Sequence, residues 1–255
     1  MTAWFPIAAG VSGAAGLLSW GAVHPASHLF GPTITRTNAI DCIALTFDDG
    51  PNPAITPRLL DLLEREHAPA TFFVIGRWVR ACPGIVAEIA ARGHGLANHT
   101  DTHANLTFLS TRRIARELLA CQDAIDGAAG RRPRFMRPPF GYRGPQLRAA
   151  LARSGLSHVV TWSVMGRDWT ARGARDLRNV LQRVTGGDIV VLHDGYHGSL
   201  GVDRTTTLDA LAYWLPRWRD RGLRCVTLDA SCCVAGAECE LLTIEHQQNS
   251  QQDHE

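Results

Sequence analysis

Short apolar runs alternate with amphipathic stretches from about residue 41 to residue 228. The short runs predict strands, and the amphipathic stretches, whose apolar residues recur every three or four positions, predict helices. The predicted strands are Ile43–Phe47, Ala70–Ile75, Gly95–Asn98, Arg134–Arg137, Ser157–Trp162, Asp188–Leu192 and Leu223–Leu228. Seven strands that alternate with helices imply parallel strands joined by crossovers, as in an open doubly wound sheet or a closed barrel.

Several helix boundaries follow from their terminal residues. Thr56 before Pro57 is typical of an N-cap followed by Pro at the first helical position. The helix predicted from Pro83 to Arg92 ends at Gly93. The remaining predicted helices are Ser110–Ile125, Pro145–Arg153, Asp176–Val184 and Thr207–Arg221.

The two ends of the chain differ from its centre. Trp4–Val23 is an uncharged run long enough to span a bilayer, although it is rich in Gly and Ala and has no basic residues before it. Residues 1–37 are therefore either a membrane anchor, with membrane association through residues 4–23, or an apolar arm packed on the domain. We assign one domain to residues 38–240, and residues 241–255 are polar and typical of a disordered tail.

Composition excludes several classes of function. The net charge is only +2, which argues against a dedicated nucleic-acid binder. All 26 basic residues are Arg, so neither a lysine Schiff base nor a Walker-type phosphate loop can form. The seven cysteines include no CxxC pair, and they match no common zinc-ribbon spacing.

Polar residues follow several of the predicted strands, where an α/β barrel builds its active site. His99 and His103 are four residues apart, so on a helical turn both imidazoles could face one point. Asp49 could add an oxygen ligand, and two histidines with one carboxylate are a common catalytic zinc set. Together with a His and an Arg after neighbouring strands, these residues indicate metal-assisted hydrolysis.

Five ordered segments resemble the motifs of the polysaccharide deacetylases, the family 4 carbohydrate esterases that carry a NodB-homology domain. They are TFDDG at 46–50, HTDTH at 99–103, RPPF at 137–140, DW at 168–169 and VLH at 191–193. The resemblance spans about residues 41–229 and implies a distorted (β/α)7 barrel. It also implies a bacterial protein located outside the cytoplasm or at the membrane, with a cytoplasmic location as the alternative.

The resemblance implies a metal site and a proton relay. Asp49, His99 and His103 would bind Zn²⁺ or another divalent metal such as Co²⁺. Asp48 would act as general base, and His193 as the general acid that protonates the departing amine.

Further roles follow from the same resemblance. Asp168 would orient the general acid, and Arg137 would hold the catalytic base. The backbone N–H of Phe140 would stabilise the oxyanion. Trp169 and Val191 would line the pocket beside the sugar and its acetyl group.

The motifs depart from the family pattern at two positions. Met165 replaces the first Asp of the usual fourth motif, which puts the local hydrogen bonding in doubt, and Val191 replaces the usual Leu of the fifth. The expected activity is removal of the N-acetyl group from N-acetylglucosamine units of peptidoglycan or chitin-like glycans, with release of acetate. The alternatives are an O-acetyl esterase acting on a polysaccharide such as xylan, or a non-catalytic carbohydrate-binding member of the fold.

Overall fold

The computed structural model describes residues 16–230. Within this range the strands, β1 to β9 in chain order, are Thr33–Ile34, Cys42–Asp48, Thr71–Val74, Gly95–Asn98, Phe135–Met136, His158–Val160, Val164–Met165, Ile189–His193 and Arg224–Val226. The helices, α1 to α8, are residues 16–23, Thr56–Arg65, Gly76–Ala81, Pro83–Ala91, Thr111–Ala129, Leu147–Ser154, Ala174–Leu181 and Thr205–Asp220. The predicted tail at 241–255 and three of the cysteines lie outside the described residues.

All nine described strands belong to one parallel sheet in the order β1-β6-β5-β4-β3-β2-β8-β7, with β9 also paired to β2. The sheet curls. The chain passes from β6, near one end of this order, to β7 at the other end through residues 161–163 alone, and four backbone steps span at most about 14 Å. The predicted distorted α/β barrel is thus confirmed, and the open doubly wound alternative is excluded.

The core explains why the strand predictions succeed. Every residue of β2 is buried, as expected for a parallel strand covered on both faces. Helix α8 packs Leu208, Leu211, Leu215 and Trp218 into the core, which is the spacing of one helical face.

Two helix starts show how local signals compete with tertiary contacts. Ser110, the first residue of the helix predicted at 110–125, is the N-cap of α5, because its Oγ accepts a hydrogen bond from the backbone N–H of Arg113. The prediction for Thr56 is wrong, because Ile55 occupies the N-cap position and Thr56 is the first helical residue. The hydroxyl of Thr56 is engaged elsewhere, since it donates to the carboxylate of Asp194.

The segment before the predicted domain start at residue 38 contributes to the sheet, since β1 pairs with β6. Arg143 ties this segment down: its Nη1 donates to the carbonyl of Ser27 at 3.1 Å and to Oγ1 of Thr33 at 2.8 Å. Among residues 16–230, no helix combines the length and apolar character needed to cross a bilayer. Residues 4–15 of the candidate anchor lie outside the described range.

Candidate active site and metal centre

Three predicted metal ligands meet at the carboxyl ends of β2 and β4. Asp49 follows β2, His99 follows β4, and His103 lies four residues further on. All three are buried, and one potential ligand atom from each lies within 4.8 Å of the others. Oδ1 of Asp49 is 3.5 Å from Nε2 of His99 and 3.2 Å from Nε2 of His103.

The two histidines converge without a helical turn, which corrects the local structure expected from their spacing. Residues 99–103 form a loop in which Thr100 and His103 adopt left-handed backbone conformations, with φ of 67° and 60°. The side chain of Asn98 accepts a hydrogen bond from the N–H of Thr100 at 2.8 Å, and Oγ1 of Thr100 accepts one from the N–H of His103 at 3.0 Å. These bonds stabilise a conformation that non-glycine residues rarely adopt.

The protonation states of the two histidines suit the binding of a cation. Nδ1 of His99 donates to the backbone carbonyl of Arg137 at 2.8 Å, which leaves the lone pair of Nε2 facing Asp49. Burial lowers the pKa of His103 to about 3, so its ring is neutral.

One carboxylate oxygen in this cluster has no hydrogen-bond partner. Oδ1 of Asp49 is buried and has no hydrogen-bond partner among the described residues. A buried carboxylate oxygen without a partner is costly unless a ligand binds it. Two imidazoles and one carboxylate fit the ligand preferences of Zn²⁺, with space for a water molecule or substrate as a further ligand.

Asp48 lies beside this cluster and is held by Arg137. Nη1 of Arg137 donates to Oδ1 of Asp48 at 2.6 Å and to Oγ1 of Thr46 at 2.9 Å. Nη2 donates to the carbonyl of Thr161 at 2.8 Å, and the guanidinium lies 4.0 Å from the ring centroid of Phe73. Arg137 is fully buried, so Asp48 is locked in one orientation with Oδ2 directed towards His99 at 3.9 Å.

A second acid–base pair lies next to the first, in which Asp168 is fully buried and His193 is partly exposed. Strand β2 pairs with β8 in a register that puts Asp48 opposite His193. Asp168 accepts two hydrogen bonds from His193, one from its backbone N–H at 2.7 Å and one from Nδ1 at 2.8 Å. Oγ1 of Thr207 donates to the same carboxylate at 2.9 Å. Burial lowers the pKa of His193, but the charge and hydrogen bond of Asp168 outweigh it and raise this pKa to about 9.

A cavity of about 340 Å³ opens above both pairs, and the three predicted substrate-binding residues line it. Trp169 is about half exposed, and its ring packs edge-on against His193 with 4.8 Å between centroids. Phe140 is equally exposed and has a left-handed backbone with φ of 60°. Val191 is buried and pairs in register with Met165. Both positions at which the motifs depart from the family pattern therefore line the cavity.

Sequence reasoning missed other cavity residues. Tyr142, Trp162, Tyr196, His197 and Arg204 also line the cavity. The ring of His197 stacks on that of His103, with 4.4 Å between the ring centroids and 9° between the ring planes. Its position four residues after His193 was the only available signal, because no strand end marks it.

Comparison with known proteins gives a consistent result. A sequence profile described as polysaccharide deacetylase matches residues 35–159. A chitooligosaccharide deacetylase of Bradyrhizobium is 40% identical over 188 residues, 71% of this chain and 85% of that protein. A peptidoglycan-N-acetylglucosamine deacetylase of Bacillus cereus is 37% identical over 188 residues, 73% of this chain and 85% of that protein. The crystal structure of the Bc1960 peptidoglycan N-acetylglucosamine deacetylase superposes with a TM-score of 0.72 at 31% identity, covering 78% of this chain and 92% of that one.

Proposed function

Because the chain belongs to the polysaccharide deacetylase family, we propose that it hydrolyses the N-acetyl group of N-acetylglucosamine residues in peptidoglycan or chitin-like glycans and releases acetate. A relative named for chitooligosaccharide and a relative named for peptidoglycan match this chain with similar identity, 40% and 37%, so the two glycans are equal candidates. The observation that carries the proposal is the arrangement of two acid–base pairs around one candidate metal centre. Asp48, which is bound by Arg137, pairs in register with His193, which is bound by Asp168.

Asp49, His99 and His103 would hold the metal, for which Zn²⁺ is the first candidate. When bound there, a divalent cation would polarise the acetyl carbonyl and lower the pKa of a coordinated water. The identity of the ion is part of the proposal, since Co²⁺ can also use two imidazoles and a carboxylate.

Asp48 is placed to act as the general base. Its Oδ1 is bound by Arg137, while Oδ2 lies on the side of the metal ligands, at 3.9 Å from Nε2 of His99. A water molecule between Oδ2 and the carbonyl carbon of the substrate could therefore give up its proton to this oxygen. The buried guanidinium also holds the carboxylate in this orientation.

His193 is placed to act as the general acid. Its Nδ1 is bound to Asp168, so Nε2 is left to donate a proton to the departing amine. The raised pKa keeps the imidazolium populated at neutral pH. The backbone N–H of Phe140 would stabilise the oxyanion, while Trp169 and Val191 would form the walls beside the sugar ring and the acetyl methyl group.

Acetate release measured on peptidoglycan, chitooligosaccharides and acetylated xylan tests the proposal. We expect release from one or both of the N-acetylated glycans, loss of activity with a chelator, and recovery with Zn²⁺ or Co²⁺. Release from xylan alone would support an O-acetyl esterase instead. Binding of glycan without any acetate release would support a non-catalytic member of the fold.

A further inference from the structure

The loop formed by residues 194–204 follows β8 and passes over the candidate metal centre. Several buried groups hold it in place. Nδ2 of Asn52 donates to the carbonyls of Asp194 and Val202 at 2.9 and 2.8 Å, and Nε of Arg204 donates to the carbonyl of Gly195 at 3.0 Å. The two ends of the loop are therefore tied to Asn52 and to each other.

Two side chains of α3 hold the middle of the 194–204 loop. Nε1 of Trp78 donates to the carbonyl of Tyr196 at 3.2 Å, and Nη2 of Arg77 donates to the carbonyl of His197. The guanidinium of Arg77 stacks on the ring of Trp78 at 4.4 Å, so the two donors support each other. These contacts set the position of the His197 backbone relative to the metal ligands.

The imidazole of His197 packs against two of the three proposed ligands. Its ring is parallel to that of His103, and its Nδ1 lies 3.7 Å from Oδ2 of Asp49. The other carboxylate oxygen of Asp49, Oδ1, faces His99 and His103. His197 thus approaches the carboxylate from the side that the other ligands leave open.

We propose that His197 is a positioning residue for the metal centre, which orients the Asp49 carboxylate through Oδ2 and leaves Oδ1 for the ion. This inference rests on the metal site of the proposed function. Carboxylates that bind metals are themselves held by hydrogen bonds from outer residues, and those residues contribute to metal affinity. His197 is not one of the three residues whose donor atoms converge, so it acts on the carboxylate rather than as a fourth ligand.

The contact between His197 and Asp49 needs only a small adjustment for this role. At 3.7 Å the Nδ1 to Oδ2 distance lies just outside direct hydrogen-bond range. A small rotation of either side chain, or one bridging water, connects the two groups. The stacking of His197 on His103 also restricts the ring of a second ligand, so two separable contributions are expected, one from the N–H donor and one from the ring.

Two variants of the full chain separate these contributions. His197→Phe retains a ring that can stack on His103 but has no N–H donor, whereas His197→Asn retains a donor near the position of Nδ1 but has no ring. Ser199→Ala, an exposed position of the same loop, is the matched control. Zn²⁺ affinity is measured on metal-free protein by competition with a chromogenic chelator, and the visible spectrum of the Co²⁺ form reports the geometry of the ligands.

For His197→Phe we expect Zn²⁺ affinity to fall about 10- to 100-fold, with an altered Co²⁺ spectrum. His197→Asn should recover affinity to within about threefold of wild type, and Ser199→Ala should match wild type. Circular dichroism of the metal-free proteins confirms that each variant is folded. Wild-type affinity in His197→Phe would overturn the inference alone. Failure of the wild-type chain to bind any divalent metal would overturn the metal site as well, and with it the proposed function.

Discussion

Replacing Asp168 by Asn tests how the proposed general acid keeps its proton. Asn is close in size to Asp, but its single side-chain oxygen can replace only one of the two carboxylate oxygens, which accept from the backbone N–H and from Nδ1 of His193 at 2.7 and 2.8 Å. The substitution therefore removes the negative charge and one acceptor with little change in size. The charge is what raises the pKa of His193 against the effect of burial.

The size of the effect follows from that pKa. A rise from 6.5 to about 9 corresponds to about 3 kcal/mol in favour of the imidazolium. Because the folded-state pKa of His193 lies above the unfolded one, this stabilisation is fully present below pH 6.5 and is lost as the pH rises through about 9. Without the charge of Asp168, burial alone lowers the pKa of His193.

The assay is the pH profile of kcat/KM for acetate release from a chitooligosaccharide. In Asp168→Asn we expect the alkaline limb to move down by about 2 pH units, with a loss of about 100-fold at pH 9 and a much smaller loss at pH 6. A bound cation lowers the pKa of His193 in both proteins, so the difference between the two profiles is the relevant quantity. Thr207→Val removes a hydrogen bond to Asp168 but no charge, and its alkaline limb should move much less. Superimposable alkaline limbs for wild type and Asp168→Asn would refute the assignment of His193 as the acid.

Three further substitutions test other parts of the site. Asp48→Asn should lower turnover by about 10²- to 10⁴-fold while Zn²⁺ affinity measured by calorimetry stays unchanged, and wild-type turnover would exclude Asp48 as the base. Arg137→Met leaves the Asp48 carboxylate buried without its partner, so urea unfolding should show a loss of about 3–5 kcal/mol, and a loss below about 1 kcal/mol would contradict this account of the pair. Gly195→Ala places a Cβ within 3.0 Å of the backbone carbonyl oxygen of Asp49, so Asp49 must shift. Zn²⁺ affinity measured by chelator competition should therefore fall. Unchanged affinity would show that the loop can move away.

The strands that carry the site could be predicted because they are long or strongly apolar. Strand β2 is buried along its whole length, so its sequence is a continuous apolar run until the motif begins. Strands β1 and β7 have two residues each and were not predicted, whereas β5, which is equally short, lies within the predicted segment Arg134–Arg137. Helix α3 has only six residues, yet it supplies both side chains that hold the middle of the 194–204 loop.

The sequence by itself determined which residues are candidates for the active site of this protein. The five motifs contain both members of each acid–base pair and the three candidate metal ligands. This was possible because each motif ends a strand or follows one within a few residues, and parallel strands end at one rim.

Tertiary structure alone decided how those residues meet. The register of β2 with β8 sets Asp48 opposite His193, and backbone hydrogen bonds rather than a helical turn bring His99 and His103 together. His197 joins the metal centre through a loop held by Arg77 and Trp78, about 120 residues earlier in the chain. Such contacts depend on side chains distant in sequence, and no local pattern of apolar and polar positions encodes them.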